Sequence, residues 1–281
     1  MTRKQLVEQI YSKGSYLCVG LDTDIEKIPE CLRKEPDAVL QFNKAIIDAT
    51  LDLCVSYKIN TAFYEAMGSK GWETMEKTVA YIPDTHFRIA DAKRGDIGNT
   101  SSQYAKAFLQ EMPFDAVTIA PYMGADSVKP FLDFDGKWGI VLGLTSNQGA
   151  GDFELRRLEG DGSPLLYEEV LRKASQWGTT ENLMFVVGAT QPEQFERIRE
   201  ITPEHFYLVP GVGAQGGSLK DISKKAMIAD CGILVNASRA IIYASENEDF
   251  AEEARVIAAQ YQYEMLQYLL PRIGTIGKEP V

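Results

Sequence analysis

Short apolar runs alternate along the chain with longer stretches in which apolar residues return every three or four positions. Short runs predict buried strands, and the longer spacing predicts amphipathic helices. This alternation occurs eight times. The strands are predicted over residues 16–22, 56–63, 87–93, 116–120, 139–144, 183–187, 207–209 and 232–235, and the helices that follow them over residues 37–53, 71–82, 99–110, 127–134, 164–177, 192–201, 219–228 and 250–270.

The order of these elements predicts an α/β fold. Strands that are apolar on both faces and separated by helices favour parallel pairing, because helices then cover both sides of the sheet. Eight such units close best as a (β/α)8 TIM barrel, which we expect to form a single domain over residues 1–281. A doubly wound open sheet is the alternative arrangement.

In a barrel, functional side chains lie at the carboxyl ends of the strands. Polar residues concentrate at these predicted ends: Asp22, Asn60, Asp91, Lys93, Thr118, Ser146, Gln215, Asn236 and Arg239, with Lys58 deeper in its strand. The glycine-rich segment 145–163 is long for a loop between a strand and a helix. We interpret it as a lid, because it rises from this same end of the barrel.

The densest group of charges follows the third predicted strand, at residues 88–100. Side chains two residues apart on a strand share a face, so Asp91 and Lys93 point the same way. A catalytic array is one interpretation. The alternative is an ordinary ion pair at a strand end, followed by Asp96 or Asn99 as a helix N-cap.

A glycine-rich stretch, residues 210–218, follows the seventh predicted strand. It matches the dinucleotide-binding pattern G-x-G-x-x-G. That pattern indicates a dinucleotide site only when it follows the first strand of a nucleotide-binding fold, and here it follows the seventh. In a barrel, the loops after strands seven and eight form the usual phosphate site. Gln215 and Arg239 complete such a site, since a guanidinium suits a phosphate. A flexible glycine turn is the alternative.

Composition narrows the classes of partner. The net charge of -11 disfavours nucleic acid and anionic membranes, so an anionic ligand needs a local basic pocket. The sequence contains no run of about 18 apolar residues, the length needed to span a membrane. Its amino terminus also lacks the apolar core of a signal peptide, and these two features predict a cytoplasmic protein. Two histidines and four scattered cysteines predict no metal site.

Together these residues resemble the orotidine 5'-phosphate decarboxylase family, in its longer bacterial form (type 2). The resemblance covers nearly the whole chain. Its hallmark is the pattern Asp-x-Lys-x-x-Asp, which Asp91, Lys93 and Asp96 fill. Supporting matches are Asp22 after the first strand, Lys58 in the second, residues 145–150, and the stretch 210–217 with Arg239.

The resemblance implies decarboxylation of orotidine 5'-phosphate without metal or organic cofactor. Lys93 would donate the proton, Asp91 would lie near the substrate carboxylate, and Lys58 and Asp96 would complete the charged array. It also implies a homodimer with shared active sites. The implied substrate contacts are Asp22 to ribose, Ser146 to the pyrimidine, Pro210, Gln215, Gly217 and Arg239 at the phosphate end, and Asp96, Ile97 and Thr100 from the partner subunit.

Two other functions stay open. One is that of another phosphosugar decarboxylase or aldolase of the same barrel type, some of which recruit Mg²⁺. The other is that of a non-catalytic nucleotide-phosphate binding protein, in which Lys93 merely pairs with Asp91 and Asp96.

Overall fold

A computed structural model describes residues 1–160, 162–213 and 216–272. Its centre is a closed barrel in which eight parallel strands pair in chain order, the last with the first. The predicted barrel is therefore confirmed, and the open sheet is excluded. The strands are β1 Leu17–Gly20, β2 Ser56–Asn60, β3 Phe87–Arg94, β4 Ala116–Ile119, β5 Trp138–Leu144, β6 Leu183–Val187, β7 Phe206–Pro210 and β8 Ile233–Ala237.

Helices separate the strands, as the apolar spacing predicts. They are α1 Arg3–Lys13, α2 Glu30–Arg33, α3 Ala38–Thr50, α4 Thr61–Glu65, α5 Ser69–Tyr81, α6 Gly98–Lys106, α7 Ala125–Val128, α8 Leu166–Ala174, α9 Gln194–Ile201, α10 Leu219–Ala226, α11 Arg239–Ile242 and α12 Phe250–Leu269. A π-helical turn, Ala107–Glu111, extends α6, and 3-10 turns cover Lys129–Phe131, Gln148–Asp152 and Leu270–Arg272.

Strand burial explains why the apolar runs are continuous rather than alternating. Every residue of β1, β4, β6 and β8 is buried. One strand face fills the barrel interior and the other packs beneath the helices, so both must be apolar. In β3 burial decreases towards the carboxyl end, where Asp91 and Lys93 lie. The polar end of that strand therefore opens at the rim of the barrel.

Two predicted boundaries are wrong for local reasons. The second strand was expected to continue to residue 63, but it ends at Asn60, whose side chain accepts a hydrogen bond from the Ala62 amide at 3.2 Å and caps α4. The helix expected over residues 127–134 is only the short α7. It passes into a 3-10 turn that contains Pro130, which cannot continue an α-helix.

Candidate active site

A cavity of about 300 Å³ opens at the carboxyl ends of the strands. Its lining comes from seven of the eight strands or the loops that follow them, and its polar side chains come from five of these, β1, β2, β3, β5 and β8. This confirms that the polar strand ends converge. The lining residues are Asp22, Lys58, Asn60, Asp91, Lys93, Leu142, Thr145, Ser146, Asn147, Val186, Leu208, Pro210, Gly211, Val212, Asn236, Ser238 and Arg239.

Lys58 lies at the bottom of this cavity between two carboxylates. Its ammonium is 3.1 Å from Asp22 Oδ1 and 3.0 Å from Asp91 Oδ2, and its side chain is only 4% exposed. Burial by itself lowers the pKa of Lys58, but the negative charges of Asp22 and Asp91 keep that pKa above its ordinary value. Lys58 is therefore a fixed positive charge.

Asp91 is held from both sides, since Lys93 Nζ lies 2.6 Å from its other oxygen, Oδ1. Burial by itself raises the pKa of Asp91. The positive charges of Lys58 and Lys93, and the hydrogen bonds they donate, nevertheless hold that pKa well below its usual range. Asp91 is consequently ionised at neutral pH. The Lys93 side chain is 51% exposed, against 4% for Lys58, so Lys93 is the more accessible lysine of this array.

The backbone at Lys93 leaves the regular strand. Pairing between β3 and β4 slips between Ala90 and Arg94, and Lys93 adopts a φ of 47°, a left-handed value that is uncommon for a side chain other than glycine. The hydroxyl of Thr118, on β4, accepts a hydrogen bond from the Lys93 amide at 2.9 Å and donates one to Asp91 Oδ1 at 3.0 Å. The sequence indicated Thr118 only as a polar strand end, because a register slip leaves no pattern in the apolar spacing.

The glycine-rich stretch after β7 borders the opposite side of the cavity. Pro210 and Gly211 line it, while Gly217 closes the loop by donating its amide hydrogen to the Gly211 carbonyl at 3.2 Å. Gly211 has a φ of 96°, a value that favours glycine. Gln215 lies outside the described residues.

Arg239 is the first residue of α11 and faces the same end of the cavity. Its side chain is exposed, and it forms no ion pair with any residue that the structure describes. A guanidinium without an internal counter-charge can bind an anionic ligand. Arg239 therefore brings a positive charge to this end of the pocket, and its role in binding a phosphate stays a prediction.

Ser146 lines the cavity at the start of segment 145–163. Glu154, from the same segment, accepts hydrogen bonds from the Thr145 amide at 2.7 Å and from the Thr145 hydroxyl at 2.8 Å. A Cβ atom at Gly188 would lie 2.7 Å from the Ser146 amide nitrogen, so only glycine leaves room for Ser146 here. These contacts fix the start of the segment. Its role as a lid stays a prediction.

Asp96, Ile97 and Thr100, all within the described chain, do not line this subunit's cavity. Ile97 is 58% exposed. The Asp96 carboxylate accepts a hydrogen bond from the neighbouring Ile97 amide at 2.8 Å, and α6 begins at Gly98 without a side-chain cap. The alternative that Asp96 or Asn99 caps this helix is therefore wrong.

One wall of the cavity is apolar, and none of its side chains was among the predicted site residues. Leu142, Val186 and Leu208 come from three consecutive strands, β5, β6 and β7. They lie opposite the charged array and leave a surface suited to a flat, weakly polar ring. These residues differ from other strand residues only in pointing into the barrel. A strand that is buried on both faces is apolar throughout, so its sequence does not show which residues point inward.

Among residues 1–160, 162–213 and 216–272, no helix combines the length and the apolar character that crossing a membrane requires. The same residues contain no group of three or more His, Cys, Asp and Glu side chains arranged to hold a metal ion.

A closed parallel barrel that carries a Lys-Asp-Lys array, a glycine-rich loop and Arg239 at its carboxyl end has the architecture of a TIM-barrel enzyme. Residues 15–254 match the model of the orotidine 5'-phosphate decarboxylase / HUMPS family. The chain is 57% identical to an orotidine 5'-phosphate decarboxylase of Phocaeicola vulgatus over 95% of this chain and 100% of that protein. The chain thus belongs to the orotidine 5'-phosphate decarboxylase family, whose members are carbon-carbon lyases.

Solved structures agree with this assignment. The OMP decarboxylase of Leishmania donovani superposes with a TM-score of 0.78 at 33% identity, over 94% of this chain and 99% of that one. The orotidine 5'-monophosphate decarboxylase of Methanocaldococcus jannaschii, solved with the inhibitor BMP, has a TM-score of 0.64 at 25% identity, over 89% of this chain and 97% of that one. The barrel therefore corresponds to those of known decarboxylases.

Proposed function

We propose that the chain, acting as one domain over residues 1–281, converts orotidine 5'-phosphate to UMP and CO2 with Lys93 as the proton donor and without a metal or organic cofactor. The observation that carries this proposal is the array itself. Asp91 is held ionised between two lysines, and Lys93 is the more accessible of the two.

The chemistry explains why such an array is useful. Breaking the bond between C6 and the carboxylate leaves an electron pair in an sp2 orbital of C6, outside the ring's conjugated electrons. An ammonium next to C6 stabilises this developing charge, and its proton then forms the new C6–H bond. Lys93 is left neutral and regains a proton from solvent. Asp91 cannot be the acid, because its pKa lies well below its usual range.

The remaining contacts of the substrate follow the cavity from the array to Arg239. Asp22, beside Lys58, binds the ribose, and Ser146 binds the pyrimidine above the apolar wall. Pro210, Gln215, Gly217 and Arg239 bind the phosphate. Phosphate contacts lie away from the reacting carbon, so their binding energy can support loop closure and exclusion of water.

We further propose a homodimer in which the partner subunit contributes Asp96, Ile97 and Thr100 to each cavity. The exposure of Ile97 supports this, as does its neighbourhood. Tyr122 and Met123, which follow β4 beside the same segment, are also exposed, and a Cβ atom at Gly95 would lie 3.7 Å from Met123. Contiguous exposed apolar side chains are typical of a protein interface. Cytoplasmic localisation and the absence of nucleic-acid or membrane partners remain predictions from composition.

An absorbance assay and a calorimetric titration together test the reaction and its two rivals. Purified protein is mixed with orotidine 5'-phosphate in excess EDTA, and the loss of substrate absorbance is followed. Continued turnover in EDTA supports the proposal. Activity lost in EDTA and restored by Mg²⁺ would indicate the metal-dependent rival. Binding in calorimetry without turnover would indicate the non-catalytic binding protein.

A further inference from the structure

We infer that Thr118 is a positioning residue that holds Asp91 and the backbone of Lys93 in their working arrangement; the inference rests on the proposed function. Thr118 lies in β4 with its side chain buried. Its single hydroxyl joins two residues of β3, accepting from the Lys93 amide and donating to Asp91 Oδ1. One side chain therefore connects the backbone of the proposed proton donor to the carboxylate beside it.

The register slip explains why the Lys93 amide needs this partner. Ala90 pairs with Val117 and Arg94 pairs with Ile119, so β3 advances four residues while β4 advances two. The extra residues leave the ladder, and Lys93 adopts its left-handed conformation there. The Lys93 amide is partly buried and has no ladder partner within the described chain, so an acceptor from another residue is needed to satisfy it. Thr118 Oγ1 is that acceptor, so the hydroxyl stabilises a backbone conformation that lysine rarely adopts.

The second bond fixes the direction of the Asp91 carboxylate. Oδ2 contacts Lys58 at 3.0 Å, while Oδ1 receives Lys93 Nζ at 2.6 Å and the Thr118 hydroxyl at 3.0 Å. The χ2 torsion of aspartate has a broad distribution, so contacts with the two lysines alone still allow the carboxylate plane to rotate. The neutral donor from β4 sets that plane. Because Lys93 Nζ donates a hydrogen bond to Oδ1, a fixed carboxylate plane also fixes the position of the Lys93 ammonium in the cavity.

This arrangement should affect turnover more than binding. Thr118 does not line the cavity, whereas Arg239 and the loop beginning at Pro210 do. Losing the hydroxyl misplaces the proton donor but leaves the phosphate contacts intact. We therefore expect Thr118→Val, which keeps the size of the side chain, to lower kcat about 10- to 100-fold, the range for one lost hydrogen bond to a charged group. Affinity for UMP should change less than about threefold.

Two further variants sharpen the test. Thr118→Ser keeps the hydroxyl and should retain at least about a third of wild-type kcat. Thr50→Val removes another buried threonine hydroxyl, which bonds to the Ile46 carbonyl and to Tyr57 outside the site, and should leave kcat unchanged. If Thr118→Val does not fold, Thr118→Ala removes the same hydroxyl and replaces it in the assay.

The outcomes separate this inference from the proposed function. With an active wild type, unchanged kcat in Thr118→Val overturns the inference. Equal losses in the valine and serine variants overturn the role of the hydroxyl, and parallel losses of kcat and UMP affinity indicate a merely structural residue. A wild type that does not turn over orotidine 5'-phosphate overturns the proposed function itself, and this inference with it.

Discussion

Replacing Lys58 by methionine tests how strongly the charged array contributes to stability. The Lys58 ammonium is almost fully buried, 3.1 Å from Asp22 and 3.0 Å from Asp91. At an effective dielectric constant of about 20, each contact has a gross attraction of roughly 5 kcal/mol, much of which desolvation offsets. Breaking a buried pair typically destabilises a protein by about 3 to 5 kcal/mol, because a buried charge loses its partner.

The structure favours the lower end of that range. In the Lys58→Met variant, Asp91 keeps Lys93 and Thr118 as partners, and Asp22 is partly exposed. We therefore expect the free energy of unfolding at pH 7 to fall by about 3 kcal/mol, measured by urea denaturation followed by circular dichroism. Lys77→Met is the matched control. It makes the same substitution at an exposed ion pair with Glu73 and should leave stability close to wild type.

The pH dependence gives an independent check. Burial raises the pKa of Asp91, but Lys58 and Lys93 lower it further, so in the folded protein this pKa lies below its unfolded value. Ionised Asp91 therefore stabilises the fold fully at any pH above the unfolded pKa. That stabilisation is lost as the pH falls from the unfolded pKa towards the folded one. Without Lys58 the folded pKa moves closer to the unfolded value of about 3.9. The difference between wild type and Lys58→Met should therefore shrink by about 1 kcal/mol between pH 7 and pH 3.

A change smaller than about 1 kcal/mol at pH 7, in a variant with a native circular dichroism spectrum, would refute this reasoning. It would mean that the two carboxylates find other partners or water once Lys58 is gone. A difference that widens towards pH 3 would contradict the proposed depression of the Asp91 pKa by Lys58.

Three further predictions concern the site. Lys93→Ala should lower kcat by several powers of ten while UMP still binds, and retention of a few per cent of turnover would contradict its assigned role. Arg239→Ala should weaken binding of UMP by about 2 to 4 kcal/mol in calorimetry and hardly affect uridine, which lacks the phosphate; equal losses for both would make Arg239 structural. Mixing inactive Lys93→Ala and Asp96→Ala subunits should restore roughly a quarter of wild-type activity, since about half the dimers are mixed and each has one intact site. No recovery, once mass spectrometry has confirmed mixed dimers, would show that Asp96 serves its own subunit.

The strand ends were the most predictable part of the molecule. Each buried strand of a parallel barrel needs a continuous apolar run, so the first polar side chain after the run marks its carboxyl end. Asp22 and Asp91 follow the apolar runs of β1 and β3 as that rule requires. Both carboxylates lie within hydrogen-bond distance of Lys58, which comes from the middle of β2 between them. Their convergence follows from topology alone and did not depend on any resemblance.

Local backbone chemistry was less predictable. Asn60 ends β2 early because its side chain caps a short helix, whereas the strand was predicted to continue to residue 63. Lys93 was expected to follow period two along a regular strand. It does share the face of Asp91, but through a slipped register and a left-handed backbone that Thr118 supports. Both features depend on single hydrogen bonds, whose energies are too small to leave a periodic signal.

The exposure of two residues favours the shared site over a closing loop as the cover of the cavity. A lysine that stabilises a developing carbanion works best where water is excluded, because the attraction between charges is stronger there. Lys93 is 51% exposed in a single subunit, so something should cover it. Closure of segment 145–163 could do so, but it would leave Ile97 exposed on the rim. A partner segment carrying Ile97 would cover Lys93 and bury an apolar side chain in the same step, which is why we expect the mixed dimers to recover activity.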